Sequence, residues 1–224
     1  FAEIKKQLDI PFDEEGNEVQ ANQQGYVVVK LPLPPGTLLD LWNDSPRFKA
    51  GYLEQFPGYY FSGDAGYKDE DDYIYITGRV DDVINVAGHR LSTAEMEEVV
   101  ASHPSVAECA VIGINDALKG QIPLALVVTK LYDDTEHFQL EHEIIKIVRQ
   151  QIGAVASLRN VVIVNRLPKT RSGKILRKLM RSIADGDQFQ VPSTIDDEAI
   201  IDEITEVLQK YEIGTFNKNN TLTN

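Results

Sequence analysis

The pattern of apolar and polar residues divides the chain into two regions of different character. Up to about residue 80, short apolar runs are separated by proline, glycine and acidic turns, which predicts a small β region. The predicted strands are QGYVVVKLP, GYYFSGDAGY and YIYITGRV. The acidic turn in YKDEDDYIYITG lies between alternating aromatic flanks and predicts a hairpin. After Asp81, strands alternate with helices, which predicts a second region of α+β type.

The predicted elements of the second region are bounded by start and stop signals. Ser92 and Glu95 form a capping box, which predicts a helix that ends near His103, where Pro104 follows. VINVAGHRL predicts a strand that ends at a glycine turn. The apolar period predicts further strands at 106–114, 122–130 and 160–167, and helices at 140–152, 173–184 and 196–211. We therefore expect a compact domain over 82–210, a linker near 78–82 and a polar, disordered tail from 214.

Composition adds an acidic balance to this picture. The 224 residues are 42% hydrophobic and 25% charged, and 35 acidic residues against 22 basic ones give a formal net charge of −13. Because such a chain is repelled by nucleic-acid phosphates and by anionic lipids, we expect no nucleic-acid and no membrane partner. The single cysteine, Cys109, lies in the apolar run VAECAVIGI. We expect a buried thiol and a reducing compartment.

One segment departs from the acidic balance. Residues 166–182 contain no carboxylate and carry seven cations: Arg166, Lys169, Arg171, Lys174, Arg177, Lys178 and Arg181. The string Ser172-Gly173-Lys174 is similar to a phosphate-binding loop, but the P-loop pattern needs other residues at Pro168 and Ile175. Two interpretations stay open. Lys174 contacts a phosphate from a glycine-hinged loop, or the cations coat the solvated face of a helix.

Two further polar clusters lie upstream. In YYFSGDAG, Asp64 follows a strand end, where a carboxylate can accept two hydrogen bonds from a vicinal diol such as ribose. In GRVDDVINVAGHR, charged residues and glycines lie where the β region gives way to the α+β region, which is typical of a hinge. Each cluster alone is also compatible with an ordinary turn.

In this order and at this spacing, the three segments resemble the motifs of the adenylate-forming acyl-CoA synthetases, specifically the short-chain acetyl- and propionyl-CoA ligases. YYFSGDAGYKDEDDYIYITGRVDDVINVAGHRLSTAEMEE is similar to the ribose-binding and hinge motifs, and LPKTRSGKILRK to the C-terminal lysine motif. The resemblance implies an α+β fold, in which a small α/β C-terminal lid domain follows the β-rich end of a large adenylation domain. We accordingly expect residues 1–80 to end the large domain, 81–213 to form the small mobile domain and 214–224 to form the tail.

The resemblance also implies roles for individual residues. Lys174 corresponds to the catalytic lysine of adenylation, which is also a target of regulatory acetylation, and Asp81 corresponds to the hinge residue. The implied nucleotide-binding residues are Asp64, Arg79 and Arg90, and the implied CoA-binding residues are Gly88 and Arg149. Ala101, His103 and Val106 fall where some acetyl-CoA synthetases hold a cation. His103 before Pro104 is also compatible with a simple helix cap.

The implied activity is the AMP-forming synthesis of an acyl-CoA. ATP adenylates a short-chain carboxylate with release of pyrophosphate, CoA then takes the acyl group and releases AMP, and Mg²⁺ accompanies the ATP. KLPLPPGTLLDLW is more similar to the propionyl-CoA branch, so propionate is the expected substrate and acetate the alternative. Two further alternatives are an adenylation domain that serves a carrier protein, and a non-enzymatic regulatory module that binds a nucleotide or a partner.

Features that the chain lacks shape the remaining expectations. Nothing in residues 1–58 resembles the phosphate loop or the acyl pocket of the family, and the chain has no initiator methionine, signal peptide or long apolar run. We therefore expect a C-terminal fragment that is inactive alone, from an enzyme of the cytoplasm or, in a eukaryote, of the mitochondrial matrix. Its expected partners are the carboxylate, ATP and CoA, together with an acetyltransferase and a deacetylase that act on Lys174.

Overall fold

The chain folds into two compact units, which divide between Asp81 and Asp82. The structure is a computed structural model, and it describes residues 8–13, 16–130 and 134–217. Each unit has its own sheet and its own apolar core. The mixed α+β class predicted from the sequence is confirmed.

The first unit is a four-stranded antiparallel sheet with one short helix. Its strands follow one another in sequence order: β1 (Leu8–Phe12), β2 (Gln24–Lys30), β3 (Tyr59–Lys68) and β4 (Ile74–Arg79). Its core is aromatic, with Tyr26 and Phe56 buried against the rings of Phe12, Tyr59 and Phe61. The three predicted strands and the predicted hairpin are confirmed.

Helix α1 (Ser45–Tyr52) and strand β1 were not predicted, and each has a physical reason. In α1 only Phe48 is buried, so its apolar period is weak, and its start is fixed by the Asp44 side chain, which accepts a hydrogen bond from the Arg47 amide. Strand β1 contains Pro11, which argues against a strand in the sequence but is tolerated at the edge of a sheet. The loop between β2 and α1 exposes the single tryptophan, Trp42, which is 98% accessible.

The second unit is a five-stranded sheet covered by helices on both faces. Its strands are β5 (Val83–Val86), β6 (His89–Ser92), β7 (Val106–Asp116), β8 (Gly120–Thr129) and β9 (Asn160–Ile163). Their order is β6-β5-β8-β7, and β9 pairs in parallel with β8. The helices are α2 (Thr93–Ala101), α3 (Asp134–Gln151), α4 (Arg177–Asp185) and α5 (Ile200–Lys210).

Strand β8 is the centre of this unit. Leu124 and Leu126 pack into a cluster that includes Met180 of α4 and Leu208 of α5, whereas Ala125 and Val127 pack into a cluster with residues of α2 and α3. All four β8 residues are fully buried. Because successive strand residues point to opposite faces, one strand supplies both halves of a three-layer core.

Several element boundaries differ from those predicted. The predicted strand over VINVAGHRL is a hairpin, β5–β6, and helix α3 begins at 134 instead of 140. The helix predicted at 173–184 begins only at Arg177, because Gly173 has a left-handed φ of +85° that does not fit a helix. The helix predicted from 196 begins at Ile200, since the Asp196 amide donates to the Lys169 carbonyl instead. The strand at 160–167 ends at 163.

The disordered tail predicted from 214 is wrong for its first residues. Gly214–Phe216 forms a 3₁₀ turn, and Phe216 packs against the cluster formed with α4 and α5. Ile213 just before it is buried. This apolar contact holds the segment on the domain. Residues 218–224 lie outside the described residues. None of the helices described is both long and apolar enough to cross a membrane.

Candidate functional site

The expected ribose-binding residues Asp64 and Arg79 lie opposite each other on β3 and β4. Arg79 Nη1 lies 3.2 Å from Asp64 Oδ1 and also donates to the Ser62 carbonyl at 3.1 Å. The Ser62 hydroxyl accepts a hydrogen bond from the Asp64 amide. Both charged side chains stay partly accessible, at 34% for Asp64 and 51% for Arg79. The sheet register thus brings a carboxylate and a guanidinium together at the surface.

Gly63 is part of this arrangement. Its φ of +78° is left-handed, and a Cβ at this position would lie 2.7 Å from Arg79 Nη2. Arg79 Nη2 therefore takes up space that a side chain at residue 63 would need. The expected hinge residue, Asp81, lies in the 3₁₀ turn Val80–Asp82, and its side chain lies outside the described residues.

The expected CoA residue Gly88 lies at the tip of the β5–β6 hairpin. Ala87 and Gly88 have φ values of +51° and +86°, the two left-handed residues that a tight type I′ turn requires. The Gly88 amide donates to the Asn85 side chain, and a Cβ on Gly88 would meet no atom within 4 Å. Arg90 follows on β6 and is exposed. The hairpin therefore presents bare backbone and a cation to open space.

The expected CoA residue Arg149 lines a cleft of about 350 Å³ at the end of α3. Lys119 and Arg159 line the same cleft, and Lys119 Nζ donates to the Ser157 hydroxyl at 2.8 Å. The lining residues that the structure describes include no carboxylate, although the chain as a whole is acidic. Such a surface suits an anion. Sequence reasoning identified Arg149 alone, because Lys119 and Arg159 come from the β7–β8 turn and the loop after α3.

Lys174 lies on a short hairpin, not on a helix. Lys169 and Ile175 form an antiparallel bridge, the Thr170 amide donates to the Lys174 carbonyl at 2.8 Å, and the Gly173 amide donates to the Thr170 carbonyl at 2.8 Å. The Lys174 amide donates to the Thr170 hydroxyl. We call residues 168–176 the lysine hairpin. The amides of Thr170, Arg171, Gly173, Lys174 and Leu176 are hydrogen-bonded, and the Lys174 side chain is exposed.

Three cations of the basic run connect different elements through ion pairs. Arg166 pairs with Glu203 and Asp197, Lys169 with Glu108, and Arg177 with Glu97. Of the basic residues in this run, Arg171, Lys174 and Lys178 form no ion pair with any residue that the structure describes. The run therefore contains cations that connect elements as well as cations without an ion pair to described residues, and Lys174 is one of the latter.

Two of these pairs shift the pKa of a member, Arg177 in one pair and Glu203 in the other. The hydrogen bond to Glu97 raises the pKa of Arg177, although partial burial opposes this. The hydrogen bond from Arg166 lowers the pKa of Glu203, with a further contribution from its positive charge.

The expected cation position lies after α2. His103 uses both ring nitrogens: Nε2 lies 3.0 Å from Glu143 Oε2, and Nδ1 accepts a hydrogen bond from the Ser105 amide. Its carbonyl accepts a hydrogen bond from the Val106 amide at 3.0 Å, so a cation there would compete with that donor. Ala101 ends α2 and is exposed. Over the described ranges, no group of three or more histidine, cysteine or acidic side chains is arranged to hold a metal ion.

The single cysteine is buried, as predicted. Cys109 is 8% accessible, and its Sγ lies 3.4 Å from the Glu97 carbonyl oxygen. Burial raises the pKa of the Cys109 thiol to about 12, and the nearby Glu97 carboxylate adds to the shift. Cys109 is therefore a protonated core residue and not a nucleophile.

Comparison with protein families places residues 95–174 in the C-terminal domain of AMP-binding enzymes. The chain is 50% identical over 88% of its length to the mouse acyl-CoA synthetase short-chain family member 3, a mitochondrial protein. It is 42% identical over 89% of its length to the acetyl-coenzyme A synthetase of Pyrobaculum arsenaticum. The chain spans only 29% and 30% of these two relatives.

A solved structure agrees with these sequence matches. The o-succinylbenzoate CoA synthetase of Bacillus subtilis, in complex with its acyl-adenylate intermediate, matches with a TM-score of 0.63 and 26% identity. The match covers 77% of this chain and 33% of that one. The two compact units described above thus have counterparts in an adenylate-forming enzyme.

Proposed function

Since the chain belongs to the short-chain acyl-CoA synthetases of the adenylate-forming family, we propose that it is the C-terminal part of an AMP-forming short-chain acyl-CoA ligase. Such an enzyme adenylates a carboxylate with ATP and then transfers the acyl group to CoA. The observation that carries the proposal is Lys174, an exposed ammonium without an ion pair to described residues, on a hydrogen-bonded hairpin that the ion pairs of Lys169 and Arg177 attach to the domain.

Lys174 acts in the first half-reaction. A carboxylate oxygen attacks the α-phosphorus of ATP, the bond to the bridging oxygen breaks, and pyrophosphate leaves with the electron pair. Two anions meet in this step, so a positive charge directed at the α-phosphate and the attacking oxygen stabilises the transition state. Removal of one such donor typically costs about 3–4 kcal/mol. An ammonium on a flexible stem suits a charge that enters and leaves the site.

The nucleotide is held by three further residues. Asp64 accepts hydrogen bonds from the ribose hydroxyls and Arg79 supports it, which the contact between their side chains at the sheet surface favours. Arg90 binds a phosphate from the exposed β5–β6 hairpin. Asp81 is the hinge about which residues 81–213, the small mobile domain, move relative to the large domain that residues 1–80 complete.

The second half-reaction uses the β5–β6 turn and the cationic cleft. The bare backbone at Gly88 lines the channel of the pantetheine arm, because a glycine leaves room for a thin chain. Arg149 binds a phosphate of CoA, which the carboxylate-free lining of its cleft favours. The thiolate sulfur then attacks the acyl carbonyl carbon, and AMP leaves. Mg²⁺ would accompany the ATP, and the carbonyls of Ala101, His103 and Val106 would be the ligands of a second cation.

Propionate is the proposed carboxylate and acetate the alternative. The resemblance of the segment KLPLPPGTLLDLW to the propionyl-CoA branch supports propionate. The match to an acetyl-coenzyme A synthetase supports acetate as the alternative. We place the enzyme in the cytoplasm or in the mitochondrial matrix, where an acetyltransferase and a deacetylase modify Lys174. Comparing kcat/KM for propionate and acetate in the full-length enzyme tests the substrate, and a higher value for acetate would reverse our assignment.

The decisive experiment separates the two half-reactions in the full-length enzyme. Lys174→Ala should abolish carboxylate-dependent ATP–pyrophosphate exchange and leave the reaction of CoA with supplied acyl-adenylate intact. Lys178→Ala is the matched control, because Lys178 is equally exposed and forms no ion pair with the described residues. Both half-reactions should survive in the control. Equal loss of both half-reactions in Lys174→Ala would contradict the proposal.

The 224-residue chain alone should be inactive. Fixed geometry can contribute up to about 7–11 kcal/mol to a reaction between two substrates, and the residues that hold the triphosphate and the acyl chain are expected upstream. Purified chain should therefore form no acyl-CoA from propionate or acetate with ATP and CoA. Turnover that disappears in Lys174→Ala would show instead that the chain is a complete enzyme.

A further inference from the structure

The lysine hairpin is bound to the rest of its unit at both ends by ion pairs. Before the tip, Lys169 Nζ lies 2.6 Å from Glu108 Oε1 on β7. After the tip, Arg177 at the start of α4 contacts Glu97 on α2 with two nitrogens, at 2.8 Å and 2.7 Å. Lys174 lies between these two attachments. Both carboxylates belong to elements of the core, so each pair joins the hairpin to a rigid part of the unit.

Glu97 is the stronger of the two attachments. Its Oε1 also accepts a hydrogen bond from the Val111 amide of β7 at 2.8 Å, so one carboxylate joins α2, β7 and α4. Its side chain is only 16% accessible, and that of Arg177 is 25% accessible. A two-pronged pair shielded from water in this way fixes the direction of the guanidinium as well as its distance. The start of α4 is therefore fixed three residues after Lys174.

The Glu108 pair is more accessible, with side chains 34% and 35% exposed. Exposed pairs contribute little to stability, about 1 kcal/mol or less. A residue that matters little for folding can still set the position of a loop. The Lys169 carbonyl also accepts the Asp196 amide, so the hairpin is bound to the segment before α5 as well.

The two pairs have a consequence for Lys174 itself. Glu97 and Glu108 are paired with Arg177 and Lys169, whereas Lys174 forms no ion pair with a described residue. The ion pairs hold the two ends of the lysine hairpin in place, while the Lys174 side chain stays exposed. A misplacement of about 1 Å at a reacting group can cost about a hundredfold in rate. The ion pairs at the ends of the hairpin can therefore affect the rate even though they touch no substrate.

We propose that Glu97 and Glu108 are positioning residues for Lys174, which hold the two ends of the lysine hairpin and leave its ammonium free. This inference rests on the role proposed for Lys174 above. Glu97 and Glu108 act through the hairpin and not on the substrate. Their loss changes where the Lys174 charge is placed, and not how the nucleotide binds.

The first test uses amide hydrogen exchange on the 224-residue chain. In Glu97→Gln, the amides of Thr170, Gly173 and Leu176 should exchange at least about tenfold faster, because their hydrogen bonds lie in the released hairpin. The amides of β8 should be unchanged. Glu98→Gln is the matched control, since Glu98 lies on the same helix, is exposed and forms no ion pair with described residues. It should leave the hairpin unchanged.

Two outcomes would overturn the proposal. Unchanged exchange in the hairpin of Glu97→Gln would mean that the pair does not hold it, and faster exchange across β8 as well would mean that Glu97 supports the whole unit. If Glu97→Gln does not fold, Glu108→Gln tests the same idea through the exposed pair. It should speed exchange in the hairpin alone, and a failure to do so would count against the proposal.

The second test is kinetic and uses the full-length enzyme. Glu97→Gln should lower kcat for pyrophosphate exchange by about tenfold to a hundredfold and leave the KM for ATP within about twofold. The reaction of CoA with supplied acyl-adenylate should be unaffected. The double variant Glu97→Gln/Arg177→Gln should be no slower than the worse single variant, because the two residues act as one pair. A rise in KM with kcat unchanged, or additive losses, would contradict the positioning role.

The two proposals can fail separately. If Lys174→Ala keeps full pyrophosphate exchange, the proposed function fails, and the hydrogen-exchange result still decides whether Glu97 holds the hairpin. If Lys174→Ala abolishes exchange but Glu97→Gln changes neither the hairpin nor kcat, only the positioning role fails.

Discussion

The two units carry charged groups that are built in opposite ways. In the first unit, Asp64 and Arg79 contact each other across neighbouring strands, so each charge is held by the other and by the sheet. In the second unit, Lys174 stands without an ion pair to described residues, whereas Lys169 before it and Arg177 after it pair with carboxylates of core elements. A charge that is already paired on a sheet suits the recognition of uncharged hydroxyls. A charge without an ion pair, on a loop whose ends are held in place, suits the stabilisation of a transition state.

The largest effect predicted by this comparison is that of Gly63→Ala in the first unit. The added Cβ would lie 2.7 Å from Arg79 Nη2, so the guanidinium must move, and we expect its contact with Asp64 to be lost. A hydrogen bond to a charged group contributes about 1.5–3 kcal/mol, which corresponds to about tenfold or more in affinity. We expect the KM for ATP of the full-length enzyme to rise by about that factor, with the thioester half-reaction unchanged.

A matched glycine separates this displacement from backbone strain. Gly58 also has a left-handed φ, +89°, and a Cβ there would meet no atom within 4 Å. Gly58→Ala carries the same kind of strain and should leave the KM for ATP unchanged. If both variants raise the KM equally, strain and not Arg79 is responsible, and the paired site is less sensitive than we propose.

A smaller effect is expected for Gly173→Ala beside Lys174. Gly173 is left-handed at +85°, but its added Cβ would meet no atom within 4 Å. The substitution should therefore cost about 1 kcal/mol through backbone strain alone and leave the ion pairs at both ends of the lysine hairpin intact. Chemical denaturation of the 224-residue chain measures the cost. A loss of several kcal/mol would mean that the tip of the hairpin is packed, contrary to its exposure.

The smallest effect concerns acid stability. The hydrogen bond from Arg166 lowers the pKa of Glu203 below its ordinary value of 4.5, so the stability from this pair is present above that pH and is lost as the pH falls through the lowered value. Because both side chains are well exposed, the contribution is small. Arg166→Gln should lower the thermal midpoint slightly at pH 7, and the difference from wild type should shrink as the pH falls and Glu203 and Asp197 become protonated. A difference that stays constant down to acid pH would mean that Arg166 acts through packing and not through charge.

Local signals in the sequence were sufficient for much of the fold. Ser92 was predicted to begin a helix, and its hydroxyl accepts the Glu95 amide at the start of α2. The acidic turn after β3 and the long apolar strands β7 and β8 were also predicted from patterns of a few residues. These elements are determined by contacts near in sequence or by a strong apolar period.

The features that could not be predicted depend on contacts between distant residues. The segment RSGKILRKLM has a helical period, yet its first part is a hairpin because Thr170 and Lys169 bond to the segment before α5. Nothing near Lys174 in the sequence points to Glu97 or Glu108 as partners of the basic run. Likewise, Lys119 and Arg159 join Arg149 in one cleft only through the packing of α3 against the sheet. Pairing of this kind follows from tertiary structure.

The exposed Trp42 has an optical consequence. It is the single tryptophan of the chain, it lies in the first unit, and it is 98% accessible. Its emission is already that of an indole in water, so unfolding of the second unit leaves the fluorescence spectrum unchanged. A segment or partner that covers the loop between β2 and α1 would shift the emission to shorter wavelength. Trp42 is thus a built-in fluorophore for contacts made by the first unit, whereas the second unit must be followed by circular dichroism or calorimetry.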